Sequence, residues 1–218
     1  MLVWVYGLGG VGSIVCGRLA PRTPDLLLIE DWQPHLEELN RVGLKVQFPD
    51  GEISTGPLHA ISSKDIARQA APPDVVLLCV KAYDVPTAAR ALAPHLGQAG
   101  VVVSMQNGIV TDTLSAEIGP SRTIASSVMF DGELIAPGRA RQLRRKPIII
   151  GRVDGPPDET TSKVAELLCP VAPTETSSDI EAVLWSKLVN NTANALTAIA
   201  DLGAGRLLEQ SPLREIWI

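Results

Sequence analysis

The sequence predicts an α/β protein: a doubly wound parallel sheet followed by the start of a helical domain. Short apolar runs alternate with helical stretches through most of the chain, as strands covered on both faces alternate with their crossovers. A glycine-rich turn joins the first run to the first helical stretch, and beyond Thr176 strand-like sequence gives way to one long helical segment. With 218 residues, 45% of them apolar and 20% charged, the chain has material for a buried core and is not a disordered polypeptide.

In order, the strand-like runs are Leu2 to Tyr6, Leu26 to Ile29, Val75 to Val80, Val101 to Ser104, Ile124 to Val128 and Ile148 to Ile150. Val11 to Ala20, Ser63 to Ala70 and Pro86 to Leu96 have helical composition. From Gly132 to Ile150 the pattern becomes strand, Pro137-Gly138 turn, strand, which predicts an antiparallel hairpin at the sheet edge. Ser178-Asp179-Ile180-Glu181 has capping-box spacing, with Ser178 as the cap. It predicts a helix from Asp179 to Ala200, ended near Gly203 and Gly205. The expected division is residues 1–176 and 177–218. One long helix and a short amphipathic stretch do not bury themselves, so the second unit is expected to be cut short or completed by a partner subunit, as in a homodimer.

The net charge of -5 gives no general attraction to nucleic acid or to an anionic membrane. The basic cluster Arg139, Arg141, Arg144, Arg145 and Lys146 lacks aromatic interleaving and reads as a solvated hairpin. Cys16, Cys79 and Cys169 are widely spaced and have no neighbouring His cluster, which predicts neither a disulfide framework nor a zinc site. That usage fits a reducing cytoplasm. No apolar run reaches the roughly 20 residues of a spanning helix, and the first residues lack the basic region of a cleavable signal.

Gly7-Leu8-Gly9-Gly10-Val11-Gly12 fits G-x-G-x-x-G between a strand and a helix. Its first glycine permits the turn, its second lets a pyrophosphate approach the backbone, and its third lets helix and strand pack closely. The free amides and the positive end of the helix dipole then face the phosphates. This is a Rossmann-type dinucleotide site. Glu30 and Asp31 end the next strand, where a carboxylate accepts from ribose hydroxyls and repels a 2'-phosphate, which points to NAD(H). Arg18, Arg22 and Arg41 are the basic residues near enough in sequence for folding to bring to that phosphate instead.

Two further strand ends carry Lys81 and Gln106-Asn107-Gly108. Ligands of open parallel sheets sit beyond such ends. Lys81 is a candidate for the cofactor or substrate, and Asn107 for bridging the two, against a reading of both as strand-end punctuation. In the long helix Lys187 is the only charged residue between Ala182 and Ala200, so the helix is expected to be buried. At 100° per residue Asn191, Asn194 and Asn190 fall roughly +40°, -20° and -60° from Lys187, on one stripe. Three Asn inside a helix carry a propensity cost that an ordinary surface has no use for, so the stripe reads as a cleft lining. A partly desolvated Lys there is suited to donating a proton to a carbonyl oxygen.

The glycine loop, Val80-Lys81, Gln106-Asn107-Gly108-Ile109, and Trp185-x-Lys187 with its paired Asn and Leu196-Thr197-Ala198 together resemble the ketopantoate reductase (2-dehydropantoate 2-reductase) family. The resemblance implies a Rossmann-type domain, a helical C-terminal domain, and NADPH-dependent reduction of the 2-oxo acid 2-dehydropantoate to (R)-pantoate in pantothenate biosynthesis. It makes Lys187 the general acid, Asn107 a contact to both cofactor and substrate, Lys81 a cofactor or substrate contact, and Asn191 with Asn194 the substrate-holding pair. Asn190 with Asn194 keeps the family's four-residue interval. The family continues beyond Ile218, and its C-terminal Ser and acidic residue have no counterpart here. NADP(H) follows from the resemblance and NAD(H) from Glu30 and Asp31. An NAD-dependent 2-hydroxy acid dehydrogenase on the same scaffold, or a truncated cofactor-binding module without catalysis, are the alternatives.

Overall fold

A computed structural model describes the backbone of residues 1–200 and the side chains of residues 1–191. Strands β1 (Val3–Tyr6), β2 (Leu26–Ile29) and β5 (Ala60–Ile61) run parallel on one side of the main sheet, with β6 (Val75–Leu78), β7 (Val101–Ser104) and β8 (Thr123–Val128) parallel on the other. Beyond β8, β11 (Ile148–Arg152) adds antiparallel and β12 (Thr174–Thr176) pairs parallel to β11. The order is β12-β11-β8-β7-β6-β1-β2-β5. The chain turns to one side after β1 and returns to the other at β6, so the topological switch point lies between these two strands.

Alternation along each strand feeds two cores. Val3 and Val5 of β1 face the layer with helix α1 (Gly10–Leu19), whereas Trp4 and Tyr6 face a layer that includes α3 (Val85–Leu92) and α4 (Thr111–Ile118). All four are buried. This two-sided burial is why the strands read as continuous apolar runs.

The hairpin predicted at the sheet edge is placed elsewhere. β9 (Asp131–Ala136) and β10 (Arg139–Arg144) meet at the Pro137-Gly138 turn, but β10 pairs parallel with β3 (Lys45–Phe48). With β4 (Gly51–Ser54) they form a separate sheet, ordered β4-β3-β10-β9, which packs over α1. Close approach decides this placement: a Cβ on Gly10 would run into the Gly132 carbonyl, and one on Gly17 would lie 2.7 Å from Val46. His35, buried in α2 (Gln33–Arg41), pins the arrangement by accepting from Gly138 N at 2.9 Å.

Two local expectations also change. Residues around Ser63 form a 3-10 segment, Ser63–Arg68, in place of an α-helix. In the long helix α6 (Ile180–Ala200) the cap is Asp179, whose Oδ1 accepts from Ala182 N at 3.0 Å, while Ser177 Oγ accepts from Asp179 N. Asp179 therefore occupies the position assigned to Ser178, one residue later, as an acceptor at a positive helix end. α5 (Glu159–Leu168) starts with its own capping box, Asp158 with Thr161.

α6 docks on β8 and β11 through Ile180 and Leu184, which cluster with Ala125, Ile109 and Ile149. Two such buried side chains stabilise the contact by roughly 2 kcal/mol each. Trp185 and Val189 remain 52% and 64% exposed, so the described part of α6 is not buried all round as its composition suggested. The expected end of this helix near Gly203 and Gly205 lies outside the described residues. Among those residues no helix is long and apolar enough to cross a membrane.

Candidate active site

The glycine loop lies at the switch point and divides its tasks among four glycines. Gly7 has φ +90° and faces Val80 so closely that a Cβ would sit 2.8 Å from its amide nitrogen. That is the left-handed region where glycine alone is unstrained. A Cβ on Gly9 would meet nothing within 4 Å, which leaves backbone space for a phosphate group. Gly12 lies directly against the Gly7 carbonyl, and Gly10 against the second sheet. Val11 packs on the core and Leu8 is buried.

A cleft of about 370 Å³ follows, lined in part by Gly7, Gly9, Glu30, Asp31, Val80 and Lys81. Glu30 also ties the loop down, since its two carboxylate oxygens accept from Leu8 N and Trp32 N, each at 2.7 Å. Asp31 Oδ1 accepts from Ser62 Oγ and Ser63 N at 2.9 and 2.8 Å. A carboxylate has about four acceptor sites, so both retain capacity for a ribose hydroxyl. Arg18, Arg22 and Arg41 are not among the residues that line this cleft: Arg18 pairs with Asp50 and lies over the Phe48 ring, Arg22 donates to the Arg18 carbonyl, and Arg41 pairs with Glu38.

A second, larger cavity of about 690 Å³ lies between α6 and the ends of β8 and β9, with Asn107, Asp131, Arg144, Lys146, Lys187, Asn190 and Asn191 among its lining residues. Lys187 Nζ donates to Asn107 Oδ1 at 2.7 Å and to the Val128 carbonyl at 2.5 Å. Burial lowers the Lys187 ammonium from its ordinary 10.5; the two acceptors favour the charged form, and desolvation outweighs them. An ammonium has three N–H donors. With two held, one remains for a ligand in the cavity.

The structure thus brings Lys187, Asn107, Asn190 and Asn191 to one cavity and Glu30, Asp31 and Lys81 to the other cleft. The side chain of Asn194, with those of Leu196, Thr197 and Ala198, lies outside the described residues. Three contributors escaped the sequence reading. The Val128 acceptor is a main-chain group and has no side-chain signature. Arg144 and Lys146, read as solvated, line the cavity, with Arg144 paired to Asp131 at 2.6 Å across the hairpin. Their only sequence sign was a basic run immediately after a predicted turn.

The parallel sheet with the glycine loop at its switch point defines the class of fold as Rossmann-type. Residues 3–155 match the family model for ketopantoate reductase PanE/ApbA. The 2-dehydropantoate 2-reductase of Halobacterium salinarum is 33% identical over 97% of this chain and 70% of its own length. The PanE/ApbA family ketopantoate reductase of Ralstonia eutropha JMP134 superposes with a TM-score of 0.85 at 31% identity, over all of this chain and 70% of that one. D-mandelate dehydrogenase, in a ternary structure with NADH and anilino(oxo)acetate, shares the fold with a TM-score of 0.88 at 20% identity, again over 100% and 70% of the two chains. The chain belongs to the ketopantoate reductase family.

Proposed function

We propose that this chain reduces a small 2-oxo acid, 2-dehydropantoate foremost, to its 2-hydroxy acid, with Lys187 as proton donor. The observation that carries this reading is the Lys187 ammonium held against Asn107 at 2.7 Å in a cavity large enough for such an acid. A nicotinamide dinucleotide, when bound, supplies the hydride for the carbonyl carbon. The open backbone at Gly9 and the cleft beside Glu30 and Lys81 fit that group. Asn107 and Val128 orient Nζ, the remaining N–H polarises the carbonyl oxygen, and the proton passes to the oxygen as negative charge develops there. Asn190 and Asn191 offer amide donors and acceptors to the substrate's hydroxyl or carboxylate, with Asn194 as the further member that the resemblance implies.

Arg144, Lys146 and Lys187 against Asp131 leave the charged lining positive, which suits a carboxylate substrate. Lys146→Glu is expected to raise KM for the 2-oxo acid about two- to fivefold, the scale of one exposed ion pair gained or lost, with kcat within about twofold. Steady-state kinetics over a range of acid concentrations checks it, and an unchanged KM removes Lys146 from binding.

A second reading concerns the cofactor. With Glu30 and Asp31 lining the cleft and none of Arg18, Arg22 and Arg41 among its lining residues, NADH is favoured over the NADPH that the family resemblance implies. The test of both readings is oxidation of NADH and of NADPH followed by absorbance with a panel of 2-oxo acids, 2-dehydropantoate and an aromatic acid included. Turnover with 2-dehydropantoate supports the first reading, and preference for a bulkier acid supports a 2-hydroxy acid dehydrogenase on this scaffold. Cofactor binding without turnover of any acid supports a binding module.

A further inference from the structure

Gln106 precedes Asn107 and points the other way, into the sheet. It is 5% exposed. Its Oε1 accepts from Ser104 Oγ at 2.6 Å, and its Nε2 donates to the carbonyls of Leu78 at 2.7 Å and Val80 at 3.2 Å. Two carbonyl oxygens at one end require the amide nitrogen there, so the orientation of the carboxamide follows from its partners. Ser104 is fixed in turn, because its carbonyl accepts from Ser126 Oγ at 2.6 Å.

The location of these bonds gives them meaning. The β6–β7 ladder pairs Leu78 with Ser104, and one more backbone bond follows, from Met105 N to the Leu78 carbonyl at 3.0 Å. Beyond it the Gln106 side chain carries the pairing on to Val80. Lys81 and Asn107, which directly follow Val80 and Gln106, border different cavities. One buried carboxamide therefore joins the wall of the glycine-loop cleft to the segment that presents Asn107 to Lys187.

We propose that Gln106 is a positioning residue: by tying the end of β7 to the end of β6 it holds Asn107 Oδ1 where the Lys187 ammonium donates to it. The consequence for turnover rests on the reading of Lys187 as proton donor; the positional claim does not. Gln106→Met keeps approximate volume and removes the side-chain bonds to Leu78, Val80 and Ser104, leaving the backbone ladder in place. Asn107 then loses its fixed backbone, and the ammonium loses a well-aligned acceptor for its charged form.

The primary measurement is an NMR titration of lysine side chains in the ligand-free protein, with the Lys187 resonance assigned by its absence in Lys187→Arg. In Gln106→Met the Lys187 midpoint is expected to fall, in the same direction as in Asn107→Ala. The double variant is expected to fall no further than Asn107→Ala. Turnover is expected to drop about tenfold or more, the scale of a misplaced catalytic group, and the losses from Gln106→Met and Asn107→Ala should not multiply. Ser104→Ala, which removes only the bond to Oε1, provides a milder variant should Gln106→Met fail to fold, with a smaller fall expected. A Lys187 midpoint unmoved in the folded variants, or turnover losses that multiply with Asn107→Ala, overturns the proposal and leaves Gln106 a stabiliser of the sheet. If Lys187→Ala retains turnover, the proton-donor reading fails while the titration still decides the role of Gln106.

Discussion

Lys187→Ala is expected to lower turnover of the 2-oxo acid by about 10²- to 10⁴-fold, the usual contribution of a positioned general acid, with little change in dinucleotide affinity. The affinity is preserved because Lys187 lines the larger cavity and the glycine-loop cleft is formed by other residues. Lys187→Arg separates charge from proton transfer. Its guanidinium retains the positive charge but does not release a proton near neutrality, so its turnover should also stay low. With Lys187 as the proposed donor, the protonated amine is the form expected to be active in reduction. The rate should therefore fall as pH rises through a midpoint that burial places below the ordinary 10.5. Asp131, Arg144 and Lys146 are the other charged residues that line the cavity with Lys187, and burial is the cause of its lowered value. Rapid-mixing kinetics across pH measures the limb, and wild-type turnover in either variant would remove Lys187 from the chemistry.

The second large effect separates two glycines three residues apart. A Cβ on Gly9 meets nothing within 4 Å, whereas one on Gly12 is driven into the Gly7 carbonyl. Gly9→Ala should leave unfolding free energy within about 0.5 kcal/mol of the unsubstituted protein and weaken dinucleotide binding more than about tenfold, because its methyl group occupies the phosphate approach. Gly12→Ala should do the reverse in origin: it displaces helix α1 from β1 and costs on the order of 3 kcal/mol or more of stability, as backbone overpacking does. Denaturant unfolding and fluorescence titration with NADH and NADPH measure the two quantities. Unaltered dinucleotide affinity in Gly9→Ala would place the phosphates away from this turn.

Much of the fold was legible because burial on both faces leaves a local record. Runs such as Val75 to Leu78 and Val101 to Ser104 are apolar at every or nearly every position, and each forms a strand of the parallel sheet. The second sheet left a weaker record. Lys45 and Gln47 of β3 alternate with Val46 and Phe48, a short pattern in which partnership with β10, 94 positions along from Lys45 to Arg139, is not written. The helical stripe was legible for a geometric reason: residues 187, 190 and 191 share a face whatever lies opposite. What lies opposite was not legible, since the Val128 carbonyl has no residue identity and Arg144 resembles any surface arginine until its place in the cavity is known.

By itself the amino-acid order determined the strand and helix alternation, the glycine turn and the grouping of Lys187 with its neighbouring carboxamides, because each depends on periodicity or on backbone sterics within a few residues. Tertiary structure alone decided that Asn107 receives the Lys187 ammonium, that Gln106 bridges two strand ends, that Glu30 braces the glycine loop, and that the β9–β10 hairpin covers α1. Those contacts join residues 22 to 80 positions apart or pair whole sheets. They exist because close packing leaves each buried donor, acceptor and apolar face few places to be satisfied.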